Sequence, residues 1–248
     1  MKKAMLAVSF GVSCPEAERK CIRPVEAALA RAFADYDVHR AYTSRVIVGK
    51  LRSQGAAIEG EAEAIARLRA EGYGAIAIVS THILPGEEYE RTLRDACSCP
   101  VSEPLLANDD DLDWMAALLE GIAVEEGRPL VLMGHGTANS ADAIYARLRN
   151  RLPEDVYLAC IDGTHRLEEL LPQLEALPEE RLTLMPLMLV AGSHARDIMA
   201  GKDETSWKSL LEARGLDVRI RMQGLGALAQ VQQRFVAKAR RMLDEQRP

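Results

Sequence analysis

The chain has 248 residues and a formal net charge of −6 at pH 7, which argues against nonspecific binding to nucleic acid, because such binding needs a basic surface. Hydrophobic residues make up 48% of the chain and aromatic residues 4%, so we expect a sizeable core built on aliphatic side chains. No apolar run approaches the ~18 residues of a membrane helix, and the five cysteines are odd in number and lack the spacing of a zinc site. These features favour a cytoplasmic protein with reduced thiols and with neither nucleic acid nor membrane as a partner.

Strand-like and helical segments alternate along the first half of the chain. Strands are predicted at Lys3–Ser9, Asp37–Tyr42, Ala75–Ser80 and near Val101–Leu106. Helices are predicted at Glu16–Ala34, Glu61–Ala70, Glu87–Ala96 and Leu112–Glu125. The last of these helices ends at a Gly-Arg-Pro break, which is typical of a helix terminus.

The alternation then restarts. Strands are predicted at Leu130–Met133, Val156–Ile161, Leu182–Val190 and Val218–Met222. Helices are predicted at Ser140–Arg151, Leu167–Leu177, Ser206–Ala213 and Ala227–Gln246. Such alternation predicts an α/β fold with parallel sheets built from βαβ units. We expect two α/β halves, 1–126 and 127–248, with the final helix free to pack on the first half.

The restart indicates a duplication. The segment VSFGVS aligns with MGHGTA and places Phe10 opposite His135. The segment IVSTHILPGEEY aligns with LMPLMLVAGSHA and places Gly86 opposite Gly192, and Glu88 opposite His194. Two related halves would face each other across a cleft, which is where ligand pockets usually lie. The duplication thus directs Glu88 across that cleft toward His194.

Three polar residues follow apolar, strand-like runs in the second half. His135 stands between two glycines, His194 follows a long apolar run and Asp162 ends a third run. The carboxyl ends of parallel strands meet at one edge of a sheet, and two imidazoles with a carboxylate there suit a divalent transition metal. Purely structural interpretations stay open for all three residues. His135 could be a core histidine, His194 could be the first residue of a helix, and Asp162 could belong to an Asp-Gly turn.

Several other families lack their signatures in this chain. There is no GxGxxG dinucleotide loop, no GxxxxGK[ST] loop and no GxSxG elbow. A nucleotide cofactor is therefore not expected.

The motifs together resemble the class II tetrapyrrole chelatases, the family that includes the ferrochelatases, and within it the cobalt-inserting enzymes of anaerobic cobalamin synthesis. The resemblance covers nearly the whole chain. It is carried by VSFGVS, RAYTSRVIVGKLR, THILPGEEYE, MGHGTA, LMPLMLVAGSHARDIMAG, TSWK and the late GLG. It implies two Rossmann-like halves related by a pseudo-twofold axis, and ATP-independent insertion of Co²⁺ into sirohydrochlorin with release of two protons.

The resemblance also implies roles for individual residues. The metal-binding histidines of the family fall on His135 and His194, and its acidic ligand, usually glutamate, falls on Asp162. The first-half glutamate of the family falls on Glu88, which we expect to relay protons or to steer the metal.

The substrate carries several carboxylates and an apolar ring, so cations and apolar side chains are expected around it. The candidates for contact with the substrate are Phe10, Arg45, His82, Met188 and Lys208. Further candidate cations are Lys50, Arg52, Arg196 and Lys202, and further apolar candidates are Met185 and Leu189. For any single cation, a solvated surface charge is the alternative.

Three other functions stay open. The same chemistry with Fe²⁺ or Ni²⁺ is one, because a His/His/carboxylate site does not separate these metals from Co²⁺. A tetrapyrrole or metal carrier without turnover is the second. A phosphate-binding protein that uses Gly86 or Gly192 at a helix start is the third. The oligomeric state is left open, a homo-oligomer included.

Overall fold

The structure is a computed structural model that describes residues 1–246. The first part of the chain alternates strands with helices, as the periodicity predicts. The elements are β1 (Lys2–Ser9), α1 (Pro15–Ala17), α2 (Arg23–Ala32), β2 (Asp37–Tyr42), α3 (Arg45–Ser53), α4 (Glu61–Ala70), β3 (Tyr73–Ser80) and α5 (Glu87–Asp95). A π-helical turn, Glu18–Ile22, joins α1 to α2. Pro24, which has no N–H to donate, lies in the first turn of α2.

The second part repeats the alternation. Its elements are α6 (Asp109–Glu126), β4 (Leu130–Gly134), α7 (Asp142–Arg149), β5 (Val156–Cys160), α8 (Leu171–Glu175), β6 (Arg181–Pro186), α9 (Trp207–Glu212) and β7 (Asp217–Ile220). The closing helix is α10 (Ala229–Glu245). Among residues 1–246, no helix is both long enough and apolar enough to cross a membrane. All five cysteines are free thiols.

Each part has a parallel sheet, so the predicted α/β class is confirmed. The first sheet has the strand order β2-β1-β3, and the second has the order β5-β4-β6-β7. In both sheets the first strand along the chain lies in the middle, the second lies on one side and the third on the other. This shared topology agrees with the duplication that the sequence motifs indicate.

The chain divides into two compact units, and the division differs from a boundary at residue 126. One unit comprises residues 1–107 and 226–248, of which those up to 246 are described, and the other comprises 108–225. Helix α6 belongs to the second unit because it packs on β4, β5 and α7. Helix α10 belongs to the first unit because it packs on α2 and β3.

Aliphatic side chains make up the core of each unit, as the composition predicts. The first core lies between its sheet and α4 and includes Leu6, Val8, Ile65, Leu68 and Ile78. The second includes Val131, Met133, Leu174, Leu184 and Leu211.

Two predicted strands differ from the structure. Within Val101–Leu106 only Val101 forms a bridge, to Ile78, because Pro104 has no N–H for a ladder. The strand expected to reach Val190 ends at Pro186 as β6, because its neighbour β4 ends at Gly134 and offers no further partner.

The two units share a glycine at the end of their central strand. Gly11 follows β1 with φ +97°, and Gly136 follows β4 with φ +78°. A Cβ on Gly11 would lie 2.6 Å from the Tyr42 ring, and one on Gly136 would overlap the carbonyl oxygen of Asp162. In both units the loop after the central strand therefore packs directly against the chain that leaves the neighbouring strand, and only glycine fits there.

We predict that Gly136→Ala lowers the free energy of unfolding by at least about 1–3 kcal/mol, since it adds backbone strain to a backbone clash. Gly121→Ala is the matched control, because Gly121 lies within α6 with open space around its Cα, and it should stabilise the protein by roughly 0.5–1 kcal/mol. Urea unfolding of both variants measures the difference. Equal stability of the two would contradict the close approach at Gly136.

Candidate active site

The carboxyl edge of the second sheet gathers the three residues that the sequence singles out in the second half. His135 follows β4 directly, and Asp162 lies two residues beyond β5. His194 begins a π-helical turn, His194–Met199, after the loop that leaves β6. Because β4, β5 and β6 are parallel neighbours, the chain segments that follow their carboxyl ends lie side by side. Single π-turns of this kind occur often at functional sites.

The two histidine rings are in contact. Their centroids are 5.0 Å apart and the ring planes are inclined by 86°, an edge-to-face arrangement. His135 Nδ1 lies 3.0 Å from the carbonyl oxygen of Gly136, which can only accept a hydrogen bond. Nδ1 therefore carries the proton, and Nε2 keeps the lone pair that a metal ion would use.

Electrostatics keep His194 in its neutral form. Burial lowers the pKa of this imidazole, and the neighbouring His135 lowers it further, whereas Asp162 and Asp197 act in the opposite direction. The net direction is downward, so the ring stays neutral to a lower pH than a free histidine would. A neutral imidazole is the form that binds a metal.

Asp162 is tied to this edge through its backbone. Its N–H donates to the carbonyl oxygen of His135 over 2.8 Å. Its carboxylate is exposed and lies 3.8 Å from the guanidinium of Arg166. Among residues 1–246, no three or more His, Cys, Asp and Glu side chains are grouped to hold a metal ion. The structure thus brings the two histidines together, and the role of Asp162 as third ligand stays a prediction.

The predicted substrate contacts of the second unit lie in the same part of the chain. Met188 is half-buried and packs against the core, and its carbonyl oxygen accepts from Leu225 N over 2.8 Å. Lys208 lies on α9 with Nζ 3.5 Å from Glu212. Its charge is already partly satisfied in the free protein.

An exposed aromatic residue marks the equivalent edge of the first unit. Phe10, just beyond β1, is 49% exposed, and its carbonyl oxygen accepts from Ser44 N over 3.2 Å. This bond repeats the one between His135 and Asp162 in the second unit. Ser44 caps α3, so Arg45 and the 81%-exposed Val46 begin that helix in solvent. Sequence reasoning named Phe10 and Arg45 and missed Val46.

His82 lies beneath the surface of this edge. It is 9% exposed, its Nδ1 lies 3.0 Å from Ser80 Oγ, and its Nε2 has no hydrogen-bond partner within the described part of the chain. Burial, with a smaller contribution from Arg91, lowers the pKa of His82 to about 4. The ring is neutral at pH 7, and its contact with substrate stays a prediction.

Arg91 holds Glu88 and was missed from the sequence. Its Nη1 lies 3.3 Å from Glu88 Oε2 and donates to the carbonyl oxygen of Thr43 over 2.9 Å. Glu88 lies in the first turn of α5, so the pair has the i, i+3 spacing of neighbours on a helix. That spacing is the signal that would have identified Arg91.

The remaining predicted cations differ in their surroundings. Arg52 is engaged by Glu63 and by the carbonyl oxygen of Ile58, so it belongs to the structure of its own surface. Lys50, Arg196 and Lys202 have exposed side chains. Met185 is fully buried and belongs to the core, whereas Leu189 is half-buried.

The geometry of the second unit defines a class of protein: an α/β chain that presents two imidazoles in contact at a strand edge, an arrangement that suits a divalent transition metal. The chain matches the cobalt chelatase (CbiK) family over residues 3–244 and belongs to that family. The resemblance that the motifs carry is thereby confirmed.

Curated relatives extend this result over the whole chain. The chain is 35% identical to the sirohydrochlorin cobaltochelatase of Salmonella typhimurium over an alignment of 257 positions, which covers 98% of this chain and 97% of the relative. It is 32% identical over 230 residues to the sirohydrochlorin cobaltochelatase CbiKC of Nitratidesulfovibrio vulgaris, covering 87% of this chain and 81% of the relative. Among solved structures, a 5-methylthioribose transporter solute binding protein from Thermotoga lettingae is 13% identical with a TM-score of 0.40, covering 100% of this chain and 83% of that one. This last likeness is too distant to carry an argument.

We predict opposite effects of two substitutions on the titration of His194. His135→Ala should raise its pKa toward the ordinary value, because it opens the site to water and removes a neighbouring cation at low pH. Asp162→Asn should lower the pKa further, because it removes a negative charge. Ring-proton NMR of His194 against pH in the two variants and the parent measures both shifts. Shifts of the same sign would contradict the charge arrangement described here.

Proposed function

We propose that this chain inserts Co²⁺ into sirohydrochlorin without ATP, replacing the two pyrrole N–H protons, as a step toward cobalamin. The observation that carries the proposal is the His135–His194 pair, edge to face at the strand ends of a cobalt chelatase family member. Support for the metal and the tetrapyrrole comes from the names of its curated relatives, both sirohydrochlorin cobaltochelatases.

The chemistry of the pair fits a metal that must be released again. Two neutral imidazoles hold a divalent ion and leave coordination positions open for the incoming pyrrole nitrogens. A thiolate would hold the ion too tightly for transfer. Cys160, at the end of β5, is buried, which raises the pKa of its thiol to about 12 and keeps it protonated. We propose Asp162 as a third, weaker ligand that guides the ion onto the histidines.

Two protons must leave as the metal enters the ring. As Co²⁺ passes to the macrocycle, the lone pairs of His135 and His194 become free to accept them. Glu88 is proposed as a relay for these protons, with its carboxylate oriented by Arg91.

The substrate contacts follow from its shape and charge. Phe10 offers an exposed ring to the apolar face of the macrocycle, and Met188 offers a polarisable side chain. Arg45 and Lys208 are proposed to meet its carboxylates. His82 is proposed as a further contact for the substrate.

We predict multiple turnovers per protein molecule when the chain is mixed anaerobically with sirohydrochlorin and Co²⁺ and followed by absorption. His135→Ala and His194→Ala should each reduce kcat/KM by more than the roughly 10–100-fold that loss of an outer-shell partner costs. The control is His39→Ala, because His39 lies in β2 against Tyr73, outside the proposed site.

Two outcomes would overturn this proposal. A rate no faster than the spontaneous reaction would make the chain a carrier. Faster turnover with Fe²⁺ or Ni²⁺ than with Co²⁺, measured in parallel, would reassign the metal.

The adjacent carboxylates Glu87 and Glu88 provide a matched test of the proton relay. Glu88→Gln keeps the shape of the side chain and removes its basicity, so kcat should fall by about 10²–10⁴-fold, the range of general acid–base catalysis, with little change in KM for Co²⁺. Glu87→Gln should leave both constants unchanged, because Glu87 is an exposed residue of the same helix turn. Equal kcat in the two variants would remove Glu88 from the mechanism.

A further inference from the structure

The first turn of α7 lies against two of the loops that carry second-unit site residues, the loops of His135 and Asp162. Asp142, the first residue of α7, is 8% exposed. Its Oδ2 accepts two hydrogen bonds from Thr164, one from the backbone N–H over 3.0 Å and one from Oγ1 over 2.6 Å. Thr164 lies two residues beyond Asp162, in the loop after β5. The Asp142 carboxylate therefore fixes the turn on the C-terminal side of Asp162.

The turn is shaped around this carboxylate. Gly163 has φ +83°, and a Cβ there would overlap Asp142 Oδ1. Both features restrict position 163 to glycine, because any side chain would meet strain and the carboxylate together. The backbone between Asp162 and Thr164 therefore lies directly against Asp142.

The backbone of Asp162 itself is fixed by the loop after β4. Its N–H donates to the carbonyl oxygen of His135, and its own carbonyl oxygen occupies the space that a side chain on Gly136 would need. Asp162 is therefore fixed from two directions, by His135 before it and by the Asp142–Thr164 pair after it. Loss of either support would change both loops, because they share the bond between Asp162 and His135.

A second side chain of α7 lies against the histidine loop. Tyr145, one turn after Asp142, is 3% exposed, and burial raises the pKa of its hydroxyl, whereas the backbone of Gly136 and His135 acts in the opposite direction. Its ring lies beneath Gly134, where a Cβ would be 3.0 Å from Cε1. The first turns of α7 therefore pack against the backbone of both loops, the one after β4 and the one after β5.

The negative charge of Asp142 strengthens its hydrogen bonds with Thr164. Burial raises the pKa of its carboxyl group, but the bonds from Thr164, with Thr137 and His165 nearby, outweigh burial and leave the pKa below its ordinary value. The group is a carboxylate at neutral pH, and its hydrogen bonds are charge-assisted and strong.

We propose that Asp142, acting through Thr164, is a positioning residue that sets the geometry with which His135 and Asp162 receive the metal ion. The proposal rests on the proposed function, since these loops matter in this way only if the site takes up Co²⁺. Outer-shell partners of metal ligands typically contribute 10–100-fold to metal affinity.

The test uses Thr164, because its side chain is exposed and tolerates substitution. Thr164→Val keeps the shape and removes the hydroxyl donor, whereas Thr164→Ser keeps the donor. CoCl₂ is titrated into the full-length protein without tetrapyrrole, and binding is followed by the visible absorption of Co²⁺. Thr164→Val should raise the Kd for Co²⁺ about tenfold, and Thr164→Ser should stay within about twofold of the parent.

Asp142→Asn serves as the second variant and should weaken Co²⁺ binding at least as much as Thr164→Val. Thermal unfolding of every variant separates positioning from stability. A lower Tm with an unchanged Kd would overturn the proposal, because the carboxylate would then be purely structural. An unchanged Kd in both Thr164→Val and Asp142→Asn would overturn it as well.

The titration also separates this proposal from the proposed function. If the parent binds Co²⁺ but does not turn over sirohydrochlorin, the chelatase proposal fails, while the variants still test positioning. If the parent turns over and the Thr164→Val and Thr164→Ser proteins share the same KM for Co²⁺, only the positioning proposal fails.

Discussion

The site of the second unit depends on one close backbone contact, the hydrogen bond from Asp162 N–H to the carbonyl oxygen of His135. It extends the pairing of β4 with β5 beyond the sheet and brings two loops side by side. It exists because Gly136 adopts a positive φ and leaves room for the Asp162 carbonyl oxygen. The edge-to-face contact of His135 with His194 is then possible from the neighbouring exit of β6. The two imidazoles are thus brought together mainly by backbone geometry.

The electrostatics of this edge follow from partial burial. His194 is buried enough to stay neutral, and Asp162 and Asp197 limit how far its pKa falls. His135 directs its Nδ1 to the carbonyl oxygen of Gly136 in its own loop, so the lone pair of Nε2 is not used by that contact. An ion that must be handed on needs ligands of this moderate kind, and the buried, protonated thiol of Cys160 offers no competition.

Much of the fold could be predicted from the sequence, because apolar periodicity reports on burial. The central strands and α4 lie where the pattern places them, as do the glycines beside the histidine. What periodicity cannot report is the partner of a strand: the apolar run after Pro186 reads as strand until β4 ends beside it. Likewise, the apolar residues of α6 do not show which sheet they cover. Only the packing of α6 on β4 and β5 assigns this helix to the second unit.

The site divides in the same way. The histidines could be found because glycine neighbours and strand ends are visible in the sequence. Asp142 could not, because it acts through a hydrogen bond from Thr164, far along the chain. For Arg91 the sequence offers only its i, i+3 spacing from Glu88, and its hydrogen bond to the Thr43 carbonyl is visible only in the structure. Their residue types alone are those of ordinary surface charges.

The repeated backbone at the ends of β1 and β4 has a consequence for how such a site arises. Phe10 and His135 occupy equivalent positions in the two units. Each is followed by a glycine with positive φ, and the carbonyl oxygen of each accepts a hydrogen bond from the loop after the neighbouring strand. The scaffold for an imidazole is therefore already present in the first unit, and a single codon separates the two chemistries by side chain alone. Two units with the same backbone at this place can therefore carry different side-chain chemistry without any change in either backbone.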